Sequence, residues 1–139
     1  MRAITLHQPW AAAIAHLDKR LENRSWPPPK TIAGKRIAIH AGKTLDKPAL
    51  EGLRADGYAL APDHLPHGVI VCTALVTGHI GPEEAEGLGH AAYWWAGPIA
   101  WLLRDVRTLA QPVPCRGAQG VWLVPEAIAE AVREREVTR

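Results

Sequence analysis

Lys19, Glu22 and Arg24 are the residues of this 139-residue chain whose types and spacing best suit chemistry on an anion or on the polar edge of a ring. The segment from Arg20 to Trp26 reads as extended, because Arg20, Glu22, Arg24 and Trp26 share one parity while Leu21, Asn23 and Ser25 share the other. Glu22 and Arg24 then leave the same face of a strand and flank one cleft, with Lys19 in the turn before them. Arginine offers a phosphate a planar fork and lysine a point charge, and a carboxylate between them orients both or accepts from the amino group of a base. The same trio would also suit a structural ion-pair network tying a helix to a strand, and residue types alone leave both readings open. Two indoles stand nearby. Trp10 falls at helical spacing and reads as core, whereas Trp26 adjoins a proline run and is equally suited to packing or to stacking on an unpaired base.

Charge is concentrated at the same end of the chain. The formal net charge is only +2, yet residues 1–47 hold nine Lys/Arg against three Asp/Glu, and residues 48–139 hold seven against eleven. Clustered cations gain affinity for a polyanion by releasing its counterions, so the first third of the chain points to nucleic acid. The candidates for phosphate contact are Lys19, Arg20, Arg24, Lys35, Arg36 and Lys43, and those for contact near bases are Trp26 and His40, with Glu22 and Ser25 completing the set. Gly42-Lys43-Thr44 resembles the end of a phosphate-binding loop, but Ile37 stands where that loop needs its first glycine, which excludes an ATPase of that type. His64 and His67 have a spacing used by metal ligands, but Pro66 separates them and no third ligand is near in sequence, so no metal or other cofactor is expected.

The elements that must position these residues follow from periodicity. A short strand is expected over residues 2–7, an amphipathic helix over 9–18 with Trp10, Ala13, Ile14 and Leu17 on one stripe, and a strand over 20–26 stopped by Pro27-Pro28-Pro29, which form a stiff surface arm. A strand over 34–41 places Ile37 and Ile39 inward and Arg36 and His40 on the other side, ending at Gly42. A short helix follows over 48–55, then a loop through Pro62, Pro66 and Gly68. The apolar, β-branched run 69–76 reads as a strand buried on both faces. Residues 78–97, rich in glycine and carrying Tyr93-Trp94-Trp95, read as an irregular insertion that exposes Trp94 and Trp95. Strands over 99–106 and 120–124 place Trp101 and Trp122 in the core, and a last helix covers 126–136. Elements in this order do not alternate as a doubly wound sheet would, so the expected class is α+β, built on a small curved sheet or barrel of five or six strands with two or three helices in a single domain spanning 1–139.

No stretch approaches the roughly 20 apolar residues of a membrane span, and residues 1–6 lack the pattern of a secretory signal, so the expectation is a cytoplasmic protein with no membrane partner. Cys72 and Cys115 lie far apart in sequence and read as reduced thiols.

The stretches Leu6-His7-Gln8-Pro9-Trp10-Ala11, Lys19-Arg20-Leu21-Glu22-Asn23-Arg24-Ser25-Trp26 and Gly34-Lys35-Arg36-Ile37-Ala38-Ile39-His40-Ala41, with the closing Val121-Trp122-Leu123, resemble the activating signal cointegrator homology (ASCH) domain of the PUA-like superfamily. The family pattern Gly-x-Lys-x-x-Glu-x-Arg is met at Lys19, Glu22 and Arg24, with Leu17 in place of the glycine. The resemblance implies a PUA-like β-barrel and a module that binds RNA, with DNA as the second candidate, through a basic cleft around the motif. It also implies an alternative. Some small members of the family are amidohydrolases of N4-acetylcytidine and others are ribonucleases, which would make Lys19, Glu22 and Arg24 the catalytic candidates. The amidohydrolases carry a catalytic threonine where this chain has Glu22, and a carboxylate cannot replace that hydroxyl nucleophile. A third reading is a protein adaptor that uses the proline arm and the acidic segment 82–89.

Overall fold

Strand β1 (Arg2–Gln8) buries Ala3, Ile4 and Leu6 and leads directly into helix α1 (Trp10–His16), where five consecutive residues from Ala11 to Ala15 are buried. The computed structural model describes residues 1–137. Small side chains let α1 lie close against the sheet, and neighbouring side chains satisfy both of its ends. Gln8, fully buried, accepts from the Ala12 N–H at 3.0 Å and donates to the Pro66 carbonyl at 2.9 Å. One amide thus closes an orphan helix donor and anchors a distant loop. At the other end Leu17 is extended, with φ −114° and ψ −164°, a conformation that needs no glycine. Arg20 donates to the carbonyls of Ile14, Leu17 and Lys19 at 3.1–3.2 Å, and the Thr108 hydroxyl donates to Ala15 at 2.6 Å, so the last turn of α1 does not leave its acceptors bare.

The chain continues through β2 (Leu21–Arg24), β3 (Arg36–Leu45), α2 (Lys47–Ala55), β4 (Val69–Ile80), the single turn α3 (Pro82–Ala85), β5 (Ile99–Pro114), β6 (Trp122–Leu123) and α4 (Glu126–Arg135). The six strands form one sheet in the order β2-β5-β4-β3-β1-β6, with β1 and β3 parallel and every other pair antiparallel. The class is α+β, but the expected barrel does not close. β2 stops after four residues, ahead of prolines that cannot donate to a ladder, and β6 has two, so the edges offer too little backbone to join.

Three strands, β3, β4 and β5, run beyond their expected ends because the sheet absorbs irregularities. Gly42 does not stop β3. It lets β3 pass close to β1, since a Cβ there would lie 2.9 Å from the Thr5 methyl. β5 continues past residue 106 through shifts in its pairing with β4, next to Asp105 at φ +47°. The Asp105 carboxylate accepts from Arg36, and from Arg107 at 3.0 Å, while Arg107 and Thr73 both donate to Glu136, just beyond α4. This network ties the end of α4 to the sheet. α4 and the loop after β5 cover a face that the expected strand pattern left to solvent: Ala38 packs in one cluster with Ala129 and Val132, and His40 lies under Gly117 and beside Trp122, 2 % exposed rather than outward.

A third apolar cluster joins Ala12, Ala13 and Leu21 to Leu50, Leu53, Leu60 and Trp94. Trp94 is buried and Trp95 half-buried, not exposed, because the glycine-rich insertion folds back over α1 and α2. Trp101 and Trp122 are core as expected, and Cys72 and Cys115 are unpaired buried thiols, that of Cys72 pushed up to about 12 by burial. Among the described residues no helix is long and apolar enough to cross a membrane.

The double role of Gln8 predicts that Gln8→Ala, which strands the Ala12 donor and the Pro66 acceptor in the interior, lowers unfolding free energy by about 2–4 kcal/mol in urea denaturation. A loss below about 0.5 kcal/mol, the range of an ordinary surface change, would contradict it.

Candidate functional site

Helices α1 and α2, strand β2 and the segment 93–96 enclose a pocket of about 500 Å³. α2 begins on Asp46, which accepts from the Ala49 N–H at 3.1 Å, and it has Pro48 in its first turn. It presents Ala49, Gly52 and Leu53 to the cavity, and two of these are small enough to leave it open. The opposite walls are aromatic: Trp10 from the start of α1, and Tyr93, Trp94 and Trp95 from the insertion. Lys19, Glu22 and Asn23 supply the polar lining, and Asp56 stands at the end of α2.

Lys19 and Glu22 form an ion pair at 3.0 Å with relative exposures of 2 % and 7 %, so water screens the pair little. The Lys19 ammonium also donates to the Leu21 carbonyl at 2.6 Å and lies 5.9 Å from the centre of the Trp10 ring. Burial holds its pKa below the usual lysine value, against the pull of the Glu22 carboxylate. The second carboxylate oxygen of Glu22 accepts from Arg24 Nε at 3.1 Å, and the Arg24 guanidinium lies over Trp101 at 5.4 Å. Both earlier readings of the trio therefore meet in one place. It is an ion-pair network, and two of its members line an open pocket. Glu22 offsets Lys19 and Asp56 adds an anion, so the charged residues lining the pocket leave one net negative charge and the pocket itself is not basic.

Asn23 was not singled out from the sequence. Its Nδ2 donates to the Trp94 carbonyl at 2.9 Å, and its Oδ1 accepts from the Ala96 and Gly97 N–H groups at 2.9 and 3.0 Å. One side chain thus fixes the backbone of the aromatic wall to β2. Tyr93 ties that wall to α2, its hydroxyl donating to Asp56 at 2.6 Å, and this hydrogen bond, reinforced by burial, pushes the Tyr93 pKa up to about 12. The available signal was an aromatic triplet in an otherwise polar, glycine-rich stretch, but nothing local in the sequence linked it to Asn23.

The remaining candidates are not gathered around this pocket. Arg20 caps α1, and Arg36 is engaged with Thr73 and Asp105 on another part of the sheet. Ser25 and Trp26 follow the end of β2 on the surface, with Trp26 76 % exposed and its carbonyl held by the Trp101 indole N–H at 2.6 Å. Lys35 is exposed in the turn before β3. His40 and Lys43 line a separate cleft. Trp10, expected in the core, is half-buried: it packs on the core and also faces the pocket.

The ASCH domain model matches residues 4–112, most of the chain. A crystal structure of ASCH from Zymomonas mobilis is similar in fold, with a TM-score of 0.62 and 16% identity over 99% of this chain and 96% of that one. Structures of two single-residue variants of the same Zymomonas mobilis protein give TM-scores of 0.58 and 0.60 at 16% and 14% identity, covering 98% of this chain and 96% and 98% of theirs. No curated protein matches.

The buried pair predicts strong non-additivity. Glu22→Leu leaves the Lys19 ammonium without its counter-charge and should destabilise by about 3 kcal/mol, whereas Lys19→Met with Glu22→Leu should return to within about 1 kcal/mol of the parent in urea unfolding. Simple addition of the two single effects would refute the coupling. The Tyr93 clasp carries a pH signature. Because its pKa is raised from 10 to about 12 in the folded protein, the stabilisation is complete below pH 10 and is lost as the pH rises through 12. Tyr93→Phe should therefore lose less stability than the parent between pH 10 and 12, and parallel curves would contradict the assignment.

Proposed function

The chain belongs to the ASCH domain family, and on that premise we propose that it is a nucleic-acid-binding module that takes one unpaired base of an RNA strand into the pocket between α1, α2 and β2, with single-stranded DNA as the second candidate. The observation that carries this reading is the composition of the pocket: a cavity of about 500 Å³ with aromatic walls and a buried, hydrogen-bonded Lys19–Glu22 pair among its lining. Aromatic walls suit the faces of a base, and the pair suits its edge. Lys19 uses two of its three N–H donors within the protein and keeps one for a carbonyl or ring nitrogen, while the Glu22 carboxylate has lone pairs left for an amino group. A pocket without net positive charge fits this division of labour, because a cationic floor would favour a phosphate over a base. Sequence-tolerant attraction then falls to exposed cations outside it, of which Lys35 and Lys43 are two.

One observation favours a second reading, a small hydrolase acting on a modified nucleoside or on RNA. A lysine whose pKa is held down beside a carboxylate is a workable general acid and base. Among the described residues the pocket lining contains no serine, threonine or cysteine, so in this reading the Lys19–Glu22 pair would activate a water, or the 2′-hydroxyl of the RNA itself. Release of acetate from acetylated cytidine, or cleavage of RNA, that disappears in Lys19→Ala would favour this reading.

For the binding module, titration of a fluorescent single-stranded RNA should give an affinity that falls with added salt, and Trp95→Ala should weaken it roughly tenfold through the lost stacking surface. Affinity indifferent to salt, or unchanged in Trp95→Ala, would overturn the reading.

A further inference from the structure

A second cleft, of about 910 Å³, opens where β1 and β3 meet the loop after β5. Its wall is built around a glycine. A Cβ on Gly117 would lie 2.6 Å from His40 Cε1, 2.8 Å from Nδ1 and 2.9 Å from the Thr5 hydroxyl, so the loop backbone rests directly on the imidazole. The imidazole is fixed in turn. The Trp122 indole N–H donates to Thr5 Oγ1 at 3.0 Å, the Thr5 hydroxyl donates to His40 Nδ1 at 3.2 Å, and His40 Nε2–H donates to the Cys115 carbonyl at 2.7 Å. With both ring nitrogens occupied, His40 is a support for the loop and not a ligand contact.

The loop held in this way presents donors. The amide N–H groups of Gly117, Ala118 and Gln119 have no acceptor among the described residues. Lys43 from β3 and Arg116 from the loop flank the cleft, both exposed and neither ion-paired among the described residues. Among the described residues no carboxylate lines it. Consecutive free amides on a glycine-containing loop seated on His40 at Cys115 and Gly117, beside two cations, are the chemistry of oxyanion recognition, with arginine supplying a fork and lysine a point charge.

We propose that this cleft is a phosphate subsite, held by Lys43, Arg116 and the amides of residues 117–119, and that the phosphate it takes belongs to the backbone of the bound strand. The backbone source rests on the nucleic-acid reading above; the phosphate chemistry does not. The base pocket and the cleft then divide recognition, the first aromatic and without net positive charge, the second cationic and lined with amides.

The test compares the full chain with Lys43→Ala/Arg116→Ala, two exposed positions whose loss should leave the thermal melt unchanged. Inorganic phosphate should move the amide resonances of residues 117–119 in the parent and leave them still in the variant. Single-stranded RNA should bind the variant about tenfold more weakly, with the slope of log affinity against log salt reduced by about 1. A nucleoside lacking phosphate, followed by quenching of the pocket tryptophans, should bind both proteins alike. If phosphate and RNA both leave the 117–119 amides unmoved, the subsite is refuted. Phosphate shifts with an unaltered RNA salt slope would overturn the backbone source in favour of a free phosphate compound. Phosphate shifts without any RNA binding would sustain the oxyanion chemistry and overturn the nucleic-acid reading.

Discussion

The buried pair between Lys19 and Glu22 is the constraint around which the rest of the site is arranged. An ammonium in the interior is tolerated only with its donors occupied and a counter-charge beside it. Meeting that demand fixes the turn after α1, because Lys19 must reach both the Leu21 carbonyl and the Glu22 carboxylate. Glu22 then passes the constraint on to Arg24, and through Arg24 to the face of Trp101 on the neighbouring strand. The motif spacing that drew attention in the sequence is thus the spacing needed for one carboxylate to serve two cations from a four-residue strand.

A wall is built around this floor by interactions of long range. Asn23, between the two charged residues of β2, holds the backbone at positions 94, 96 and 97, and Tyr93 clasps Asp56 across the mouth. The aromatic segment is mostly loop and short 3-10 turn, with little ladder of its own. It keeps its place through these side-chain bonds and its packing on α1 and α2, an arrangement suited to a wall that must be both apolar and able to adjust to a flat ligand.

Local pattern carried much of the fold. Alternation identified β1 and β2, the helical spacing of Trp10, Ala13, Ile14 and Leu17 identified α1, and the β-branched run identified β4. What the sequence could not supply was closure and reach. Whether β2 and β6 would join depended on strand lengths set by prolines and pairing partners elsewhere, and the barrel implied by family resemblance is an open sheet here. Gly42 reads locally as a terminator, yet its role is close approach to Thr5, which only the tertiary pairing shows. At the site the charged trio was legible because its spacing is local. Trp94, Trp95 and Asn23 were not, because what joins them spans more than 70 residues. Basic residues grouped by sequence proximity also dispersed: Arg20 satisfies helix carbonyls, Arg36 braces the sheet, and Lys43 lies at a second cleft.

The central claim, that a base enters the pocket above Lys19 and Glu22, is most directly tested by intermolecular nuclear Overhauser effects between a short single-stranded RNA and the protein. The account predicts contacts from base protons to the indole protons of Trp10 and Trp95, with the Lys19 side chain also perturbed. Contacts confined to the exposed Trp26 ring, with the pocket indoles silent at saturating RNA, would contradict it.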